Sequence, residues 1–241
     1  MSAVVHLAGE NVAAWRWTPD RKEEIRRSRV EGTQRLCESL AVLGRRPKLL
    51  VTASAIGYYG SRGEEILTET STPGIDFLAR VCREWEAATE PASRAGIRVV
   101  HLRFGMILSP AGGALKKMLL PFKLGIGGRI GDGKQYVSWI AIDDVVRVIH
   151  HVICTEVLRG PVNAASPNPV TNAEFTRTLA RVLLRPAMLL LPAFGARFLF
   201  GELADALLLA SQRVKPERLQ GSGYCFRFPE LEGALRHVLR R

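Results

Sequence analysis

Three stretches of this chain are apolar for most of their length rather than on strictly alternate residues. They are residues 4–8, residues 48–54 and residues 97–108, the last interrupted by Gly105. Continuous apolar runs of this kind belong to strands buried on both faces, as in a parallel sheet. The segments between them carry a helical period. Thr18-Pro19 reads as an N-cap followed by Pro at the first helical position. The helix it opens runs to about Leu43, with Ile25, Leu36 and Leu40 turned inward. Gly32 sits inside it at a cost of about 1 kcal/mol relative to Ala, which a close helix–sheet approach would justify. Residues 76–95 are helical again, with Leu78, Val81, Cys82 and Trp85 recurring at three and four. Parallel strands need crossovers of this length, and such crossovers are right-handed. The expected class is α/β.

Beyond Pro110 the texture changes. Gly112, Gly113, Gly125, Gly127, Gly128, Gly131 and Gly133 punctuate a segment of loops and short helices. Residues 138–142 suit a strand. Asp143-Asp144 then start, and more naturally cap, a helix over residues 145–157. Thr171-Asn172-Ala173-Glu174 reads as a capping box opening a helix to about Leu184. Residues 186–241 read as a helical tail. The apolar part of that tail, residues 187–210, carries Pro192, Arg197, Glu202 and Asp205, too many interruptions for a membrane span. It is expected to bury itself against the rest of the chain; a partner surface is the other reading. Residues 1–110 are thus expected to form part of a dinucleotide-binding domain, and residues 111–241 a substrate lobe with a helical tail.

With 34 Lys+Arg against 23 Asp+Glu, the 241 residues carry a formal charge of +11. The positive residues are scattered and no aromatic residues interleave with them, which argues against nucleic acid as the partner. A solvated arginine-rich surface, or a pocket for anionic phosphates, accounts for the balance. Cys37, Cys82, Cys154 and Cys225 are far apart and form no disulfide or metal framework, so a reducing, cytoplasmic setting is expected. His6 and His101 sit among apolar neighbours and read as packed; His150-His151 lack acidic partners.

Open parallel sheets bind ligands at the carboxyl ends of their strands. Here those ends are Ala8-Gly9-Glu10-Asn11, Ala53-Ser54-Ala55 and Phe104-Gly105-Met106. Small residues there let a flat ligand lie against the backbone, and three such ends in one sheet point to a nucleotide.

The stretches VVHLAGEN (4–11), SRVEGT (28–33), SAIGYYG (54–60), FLARVCREWE (77–86), LRFGMILS (102–109), GGALKKMLLPFKLG (112–125), SQRVKPERL (211–219) and FPEL (228–231) together resemble a known family. It is the extended short-chain dehydrogenase/reductase group of sugar-nucleotide epimerases and dehydratases, in its atypical branch with a C-terminal domain of unknown function. The resemblance implies a Rossmann-type parallel sheet with a small C-terminal α/β lobe. It implies NADP or NAD as cofactor, along Leu7, Ala8, Gly9, Glu10, Arg29, Ala53, Ser54, Phe104, Gly105 and Met106. Ser54 matches the serine that positions a substrate oxygen. Tyr58 or Tyr59 could supply a phenol, or be a packed aromatic. Arg29 could face a substrate anion, or be a surface charge. Asn11, Arg129, Gln135 and Trp139 are the candidates for the substrate pocket.

Two departures accompany the resemblance. The family's first strand and Gly-rich turn (GxxGxxG) have no counterpart here, and Gly125–Gly131 follows no predicted strand. The expectation is therefore a truncated sheet lacking its first strands, with weak or absent cofactor binding. The usual reductase Tyr-xxx-Lys pair is also absent: its places fall on Leu78 and Cys82, or one residue earlier on Phe77 and Val81. The expected function is an NAD(P)-binding epimerase or reductase-like protein acting on a sugar-nucleotide-like or other small substrate, with a homodimer left open. The alternative is a non-catalytic nucleotide-binding sensor or interaction protein.

Overall fold

The computed structural model describes residues 2–13 and 16–241. The first half runs β1 (Ala3–His6), α1 (Pro19–Ala41), β2 (Leu49–Ala55), β3 (Ile66–Leu67), α2 (Phe77–Ala87), α3 (Glu90–Arg94), β4 (Arg98–Phe104) and β5 (Met106–Leu108). The second half runs α4 (Gly113–Lys123), β6 (Gly128–Ile130), β7 (Tyr136–Val137), β8 (Trp139–Ala141), α5 (Ile142–Cys154), β9 (Gly160–Ala164), β10 (Val170–Thr171) and α6 (Asn172–Leu183). It closes with β11 (Leu189–Leu191), α7 (Ala193–Phe200), β12 (Arg213–Val214), α8 (Glu217–Gly221) and α9 (Leu231–Leu239).

The central sheet is wholly parallel, in the order β1-β2-β4-β9. Its inner strands are the runs that the sequence marks as continuously apolar. Alternate residues face opposite helical layers. Leu50 and Val99 pack with Cys37 and Leu40 of α1 and Ala92 of α3. Leu49, Val51, Val100, Leu102 and Val162 pack on Val145, Val148 and Val152 of α5. The edge strand β1 is less covered, with Val5 and Leu7 exposed. The fold is thus the Rossmann-like α/β arrangement that the pattern predicts.

The structure corrects several boundaries. The sheet does not stop at residue 110, because β9 returns to pair with β4. The third apolar run is two strands. β4 pairs with β2 and β9; after Gly105 the chain changes partner, and β5 pairs with β8. The reason is contact: a Cβ at Gly105 would stand 2.8 Å from the Ser138 carbonyl oxygen and 3.3 Å from Ala165 Cβ. The helix expected over residues 76–95 is also two, with Pro91 in the first turn of the second, where a missing N–H costs nothing. The tail contains the strands β11 and β12 besides its helices.

A second core fills the lobe. Leu115, Leu119 and Phe122 of α4 meet Phe175, Leu179 and Leu183 of α6 and Leu231, Leu235 and Val238 of α9. Thr18 caps α1 by accepting from Arg21 N at 3.2 Å, and Thr171 with Glu174 forms the capping box of α6. Asp144 does not cap its own helix. It is fully buried and accepts from Tyr224 Oη, Arg227 N and Phe228 N, each at 2.9 Å, which ties the C-terminal segment to α5. The α7 region departs most from expectation: α7 buries only Ala196. Its large side chains face outward, since α4, α6 and α9 already close the lobe's core. No helix among the described residues is long and apolar enough to cross a membrane.

Candidate functional site

The strand register places Ser54, Arg103 and Asn163 side by side, one on each of three adjacent strands. All three are one residue from the carboxyl end of their strand and buried. Equal register in a parallel sheet puts them on the same face, toward α2. There Glu86 receives Ser54 Oγ–H at 2.7 Å and Arg103 in a two-pronged pair, Nε to Oε1 and Nη2 to Oε2, both 2.8 Å. Arg103 Nη1 donates to Tyr59 Oη at 3.0 Å, and Tyr59 donates onward to Asn163 Oδ1 at 2.7 Å. The Asn163 backbone N–H donates to Glu69 Oε1 at 3.0 Å, while its side-chain Nδ2 donates to Lys215 O at 3.0 Å. Tyr58 covers Arg103, whose Cζ lies 3.4 Å from the ring centre.

The network fixes what each group can do. Burial opposes the charge on Arg103, yet Glu86 holds its guanidinium above the ordinary range. Burial pushes the Tyr59 phenol up to about 12, against the pull of Arg103 and Asn163. Tyr59 is fully buried with its proton committed, so it does not exchange protons near neutral pH. Ser54 has one proton and gives it to Glu86; its remaining capacity is to accept. The two positions that the sequence assigns to the missing Tyr/Lys pair lie against the adjoining turn. A Cβ at Gly57 would be 3.4 Å from Leu78 Cβ and 3.9 Å from Cys82 Sγ. Burial raises the Cys82 thiol to about 12, which leaves that place apolar and unreactive.

A loop closes over the strand ends. Gly74 N–H donates to Tyr58 O at 2.9 Å, and any side chain at Gly74 would collide with Gly60 Cα at 2.8 Å. Gln212 Nε2 donates to the carbonyls of Ile56 and Gly60, which fastens the C-terminal segment to the same turn.

Beside this cluster, the tip of β1 is open. Leu7, Ala8 and Gly9 are exposed. Arg29 lies beneath them, its Cζ 3.4 Å from where a Gly9 Cβ would be. Two of its five N–H donors go to Glu10 O at 2.9 Å and Ile25 O at 3.2 Å, and its guanidinium stacks over Trp85. Glu10 pairs with Arg21 at 2.8 Å, a hydrogen bond that lowers its carboxyl pKa. Asn11 Oδ1 accepts from Ala13 N and closes a turn.

The remaining candidates are more dispersed. Ala53 points to the α5 side, opposite Ser54. Phe104 packs with the α5-side core, Gly105 is enclosed, and Met106 packs on the lobe core. Arg129 is exposed on β6. Gln135 is buried and bridges Ile130 O and Leu208 O at 3.0 and 3.1 Å. Trp139 is fully buried in the lobe core, its indole N–H on Asn168 O at 3.1 Å. Sequence reasoning did not single out Arg103, Glu86, Glu69 or Asn163 as site residues. A charged or amide residue inside an otherwise apolar run (LRF, PVNAA) was the available signal for Arg103 and Asn163.

Residues 1–165 match the model of the NAD dependent epimerase/dehydratase family, and residues 191–238 match a domain of unknown function, DUF1731. The chain belongs to the NAD dependent epimerase/dehydratase family. An epimerase family protein of Mycobacterium bovis is 43% identical over 241 residues, covering 100% of this chain and 79% of its own length. Human epimerase family protein SDR39U1, solved with NADPH, superposes with a TM-score of 0.95 at 35% identity, covering 100% of this chain and 82% of that one. A nucleoside-diphosphate sugar epimerase of Corynebacterium glutamicum gives 0.79 at 41% identity, over 99% of this chain and 46% of that one. A UDP-glucuronic acid 4-epimerase from Bacillus cereus, with NAD, shares the fold at 15% identity and a TM-score of 0.78.

Proposed function

We propose that this epimerase-family chain binds NADP(H) or NAD along the open β1 tip and the adjoining strand ends. Leu7, Ala8, Gly9 and the Glu10 backbone form one wall; the chain at Ala53-Ser54 and at Phe104-Gly105-Met106 forms the other. The exposed tip beside a rigid polar cluster fits the nicotinamide half of a dinucleotide. A pyrophosphate-cradling Gly-rich turn is not among the described residues. The bound cofactor would supply hydride chemistry.

Ser54 carries the reading. Its proton is fixed on Glu86, so it offers a lone pair to a substrate hydroxyl and offers no proton to a carbonyl. Glu86 and Arg103 hold it in place. Tyr58, half-buried over Arg103, is the phenol left near the opening. Arg129 is exposed at the rim of the lobe for an anionic part of a small, sugar-nucleotide-like substrate.

The test is a fluorescence titration with NADPH, followed by turnover on a panel of sugar nucleotides and small alcohols and carbonyls. Saturable binding is expected, and Ala8→Trp should block it without changing the unfolding midpoint. Ser54→Ala should retain binding and remove turnover. Absence of NADPH binding by the intact chain would sink the proposal. A second reading, a nucleotide-binding sensor, is favoured by the inert Leu78/Cys82 place and by the committed Tyr59 proton. It predicts NADPH binding, weak or tight, with no turnover on any member of the panel.

A further inference from the structure

The turn that carries Tyr58 and Tyr59 is held from two sides. On one side Gly74 N–H donates to Tyr58 O at 2.9 Å, and the backbones lie too close for a Cβ at Gly74. On the other side Gln212 spans the turn. Its Nε2 donates to Ile56 O at 3.1 Å and to Gly60 O at 3.2 Å, the carbonyls that bracket Gly57, Tyr58 and Tyr59.

Gln212 can set the turn because its own backbone is fixed. Its N–H donates to Tyr136 O at 3.1 Å, and its carbonyl accepts from Ser138 Oγ at 2.7 Å. Ser211 adds a second fastening: its N–H donates to Ser61 Oγ at 3.1 Å, and its carbonyl accepts from Arg62 N at 2.9 Å. Three residues beyond Gln212, Lys215 O accepts from Asn163 Nδ2 at 3.0 Å. That bond decides which way the Asn163 amide faces and leaves Oδ1 for the Tyr59 proton, at 2.7 Å. Both supports of Tyr59, its turn and its acceptor, are therefore set from residues 211–215, inside the segment that matches the domain of unknown function. Tyr59 in turn meets Arg103, and Arg103 aligns Glu86 beneath Ser54.

We propose that Gln212 is a positioning residue for the Ser54 site, holding the Tyr58–Tyr59 turn against Arg103, and that this is what the C-terminal segment contributes to the site. The proposal rests on the Ser54 reading.

The test replaces Gln212 with Met, which keeps the side chain's length and removes both donors, and counts ionised phenols by near-ultraviolet absorbance. In the folded chain burial pushes the Tyr59 phenol up to about 12, with Glu69 adding to the rise and Arg103 and Asn163 opposing it; burial raises Tyr224 as well. At about pH 11 an ordinary phenol has ionised. There Gln212→Met should show one more ionised tyrosine per chain than the wild type, with circular dichroism showing both folded. The same comparison made in a Tyr59→Phe background should show no difference. Gln212→Ala, which admits water to the two carbonyls, is the milder variant and should behave like Gln212→Met. Ser222→Ala loosens the same segment at its 2.8 Å contact with His151 and should leave the count unchanged. On any substrate turned over, Gln212→Met should lower kcat by roughly tenfold or more and leave the NADPH dissociation constant within about twofold. An unchanged phenol count in the folded Gln212 variants overturns the proposal, as does an equal change in Ser222→Ala or an unchanged kcat. A wild-type chain without turnover sinks the enzymatic reading instead, and the phenol count then decides whether Gln212 holds the turn.

Discussion

The tips of β2, β4 and β9 and the α7–β11 surface invert the usual partition of a protein in opposite ways. At the strand tips, a carboxylate, a guanidinium, a hydroxyl, a phenol and an amide are buried together. Around α7, phenylalanines, leucines and a methionine face outward. The first arrangement persists because each side chain in the chain from Ser54 to Asn163 has a partner at 2.7–3.0 Å. Unpaired, the same groups would unfold the region. The second has no such internal compensation, because α7 buries only Ala196.

Substitutions can break this contrast at either end. Arg103→Met should be the most damaging, since it strands Glu86 in the interior. A loss of about 3–5 kcal/mol in denaturant unfolding is expected; a loss under ~1 kcal/mol would mean that water reaches the cluster and that it is not the closed unit described. Tyr59→Phe removes one donor, leaves the Arg103 and Asn163 groups short of a partner, and should cost about 1–3 kcal/mol. Paired with Arg103→Met the losses should be less than additive, because the two residues share a network.

Alkaline pH sharpens the same point. In the folded protein burial keeps the Tyr59 proton on up to about 12, whereas the ordinary phenol releases it near 10. Above pH 10 the unfolded chain therefore loses this proton first. The Tyr59 contribution is intact below pH 10 and declines between pH 10 and about 12. Tyr59→Phe should flatten that part of the stability profile; an unchanged slope would show the phenol to be open to solvent. At the other end of the scale, Phe198→Ser should change the unfolding free energy by no more than about 0.5 kcal/mol. A larger loss would place Phe198 in the protomer's own core.

The strands and their direction were legible because continuous apolar runs separated by amphipathic helices admit few topologies. The caps at Thr18-Pro19 and Thr171–Glu174 were legible because capping is local chemistry. Other features depend on contacts between distant parts of the chain. The break at Gly105 exists because the backbone at Ser138 crosses there. Glu86 meets Ser54 and Arg103 from another element, and no local spacing encodes that meeting. Trp139, in a Gly-rich segment, has the look of a pocket residue, and only the packing of α4, α6 and α9 shows it enclosed. The two-residue strands β3, β7, β10 and β12 are too short to leave a period.

The handover at Gly105 joins β4, which carries Arg103, to β5, which is gripped by β8 of the lobe, through a single residue. The two halves of the molecule thus share one rod, and a swing of the lobe as a separate body would have to bend the chain two residues from Arg103, whose ion pair holds Ser54.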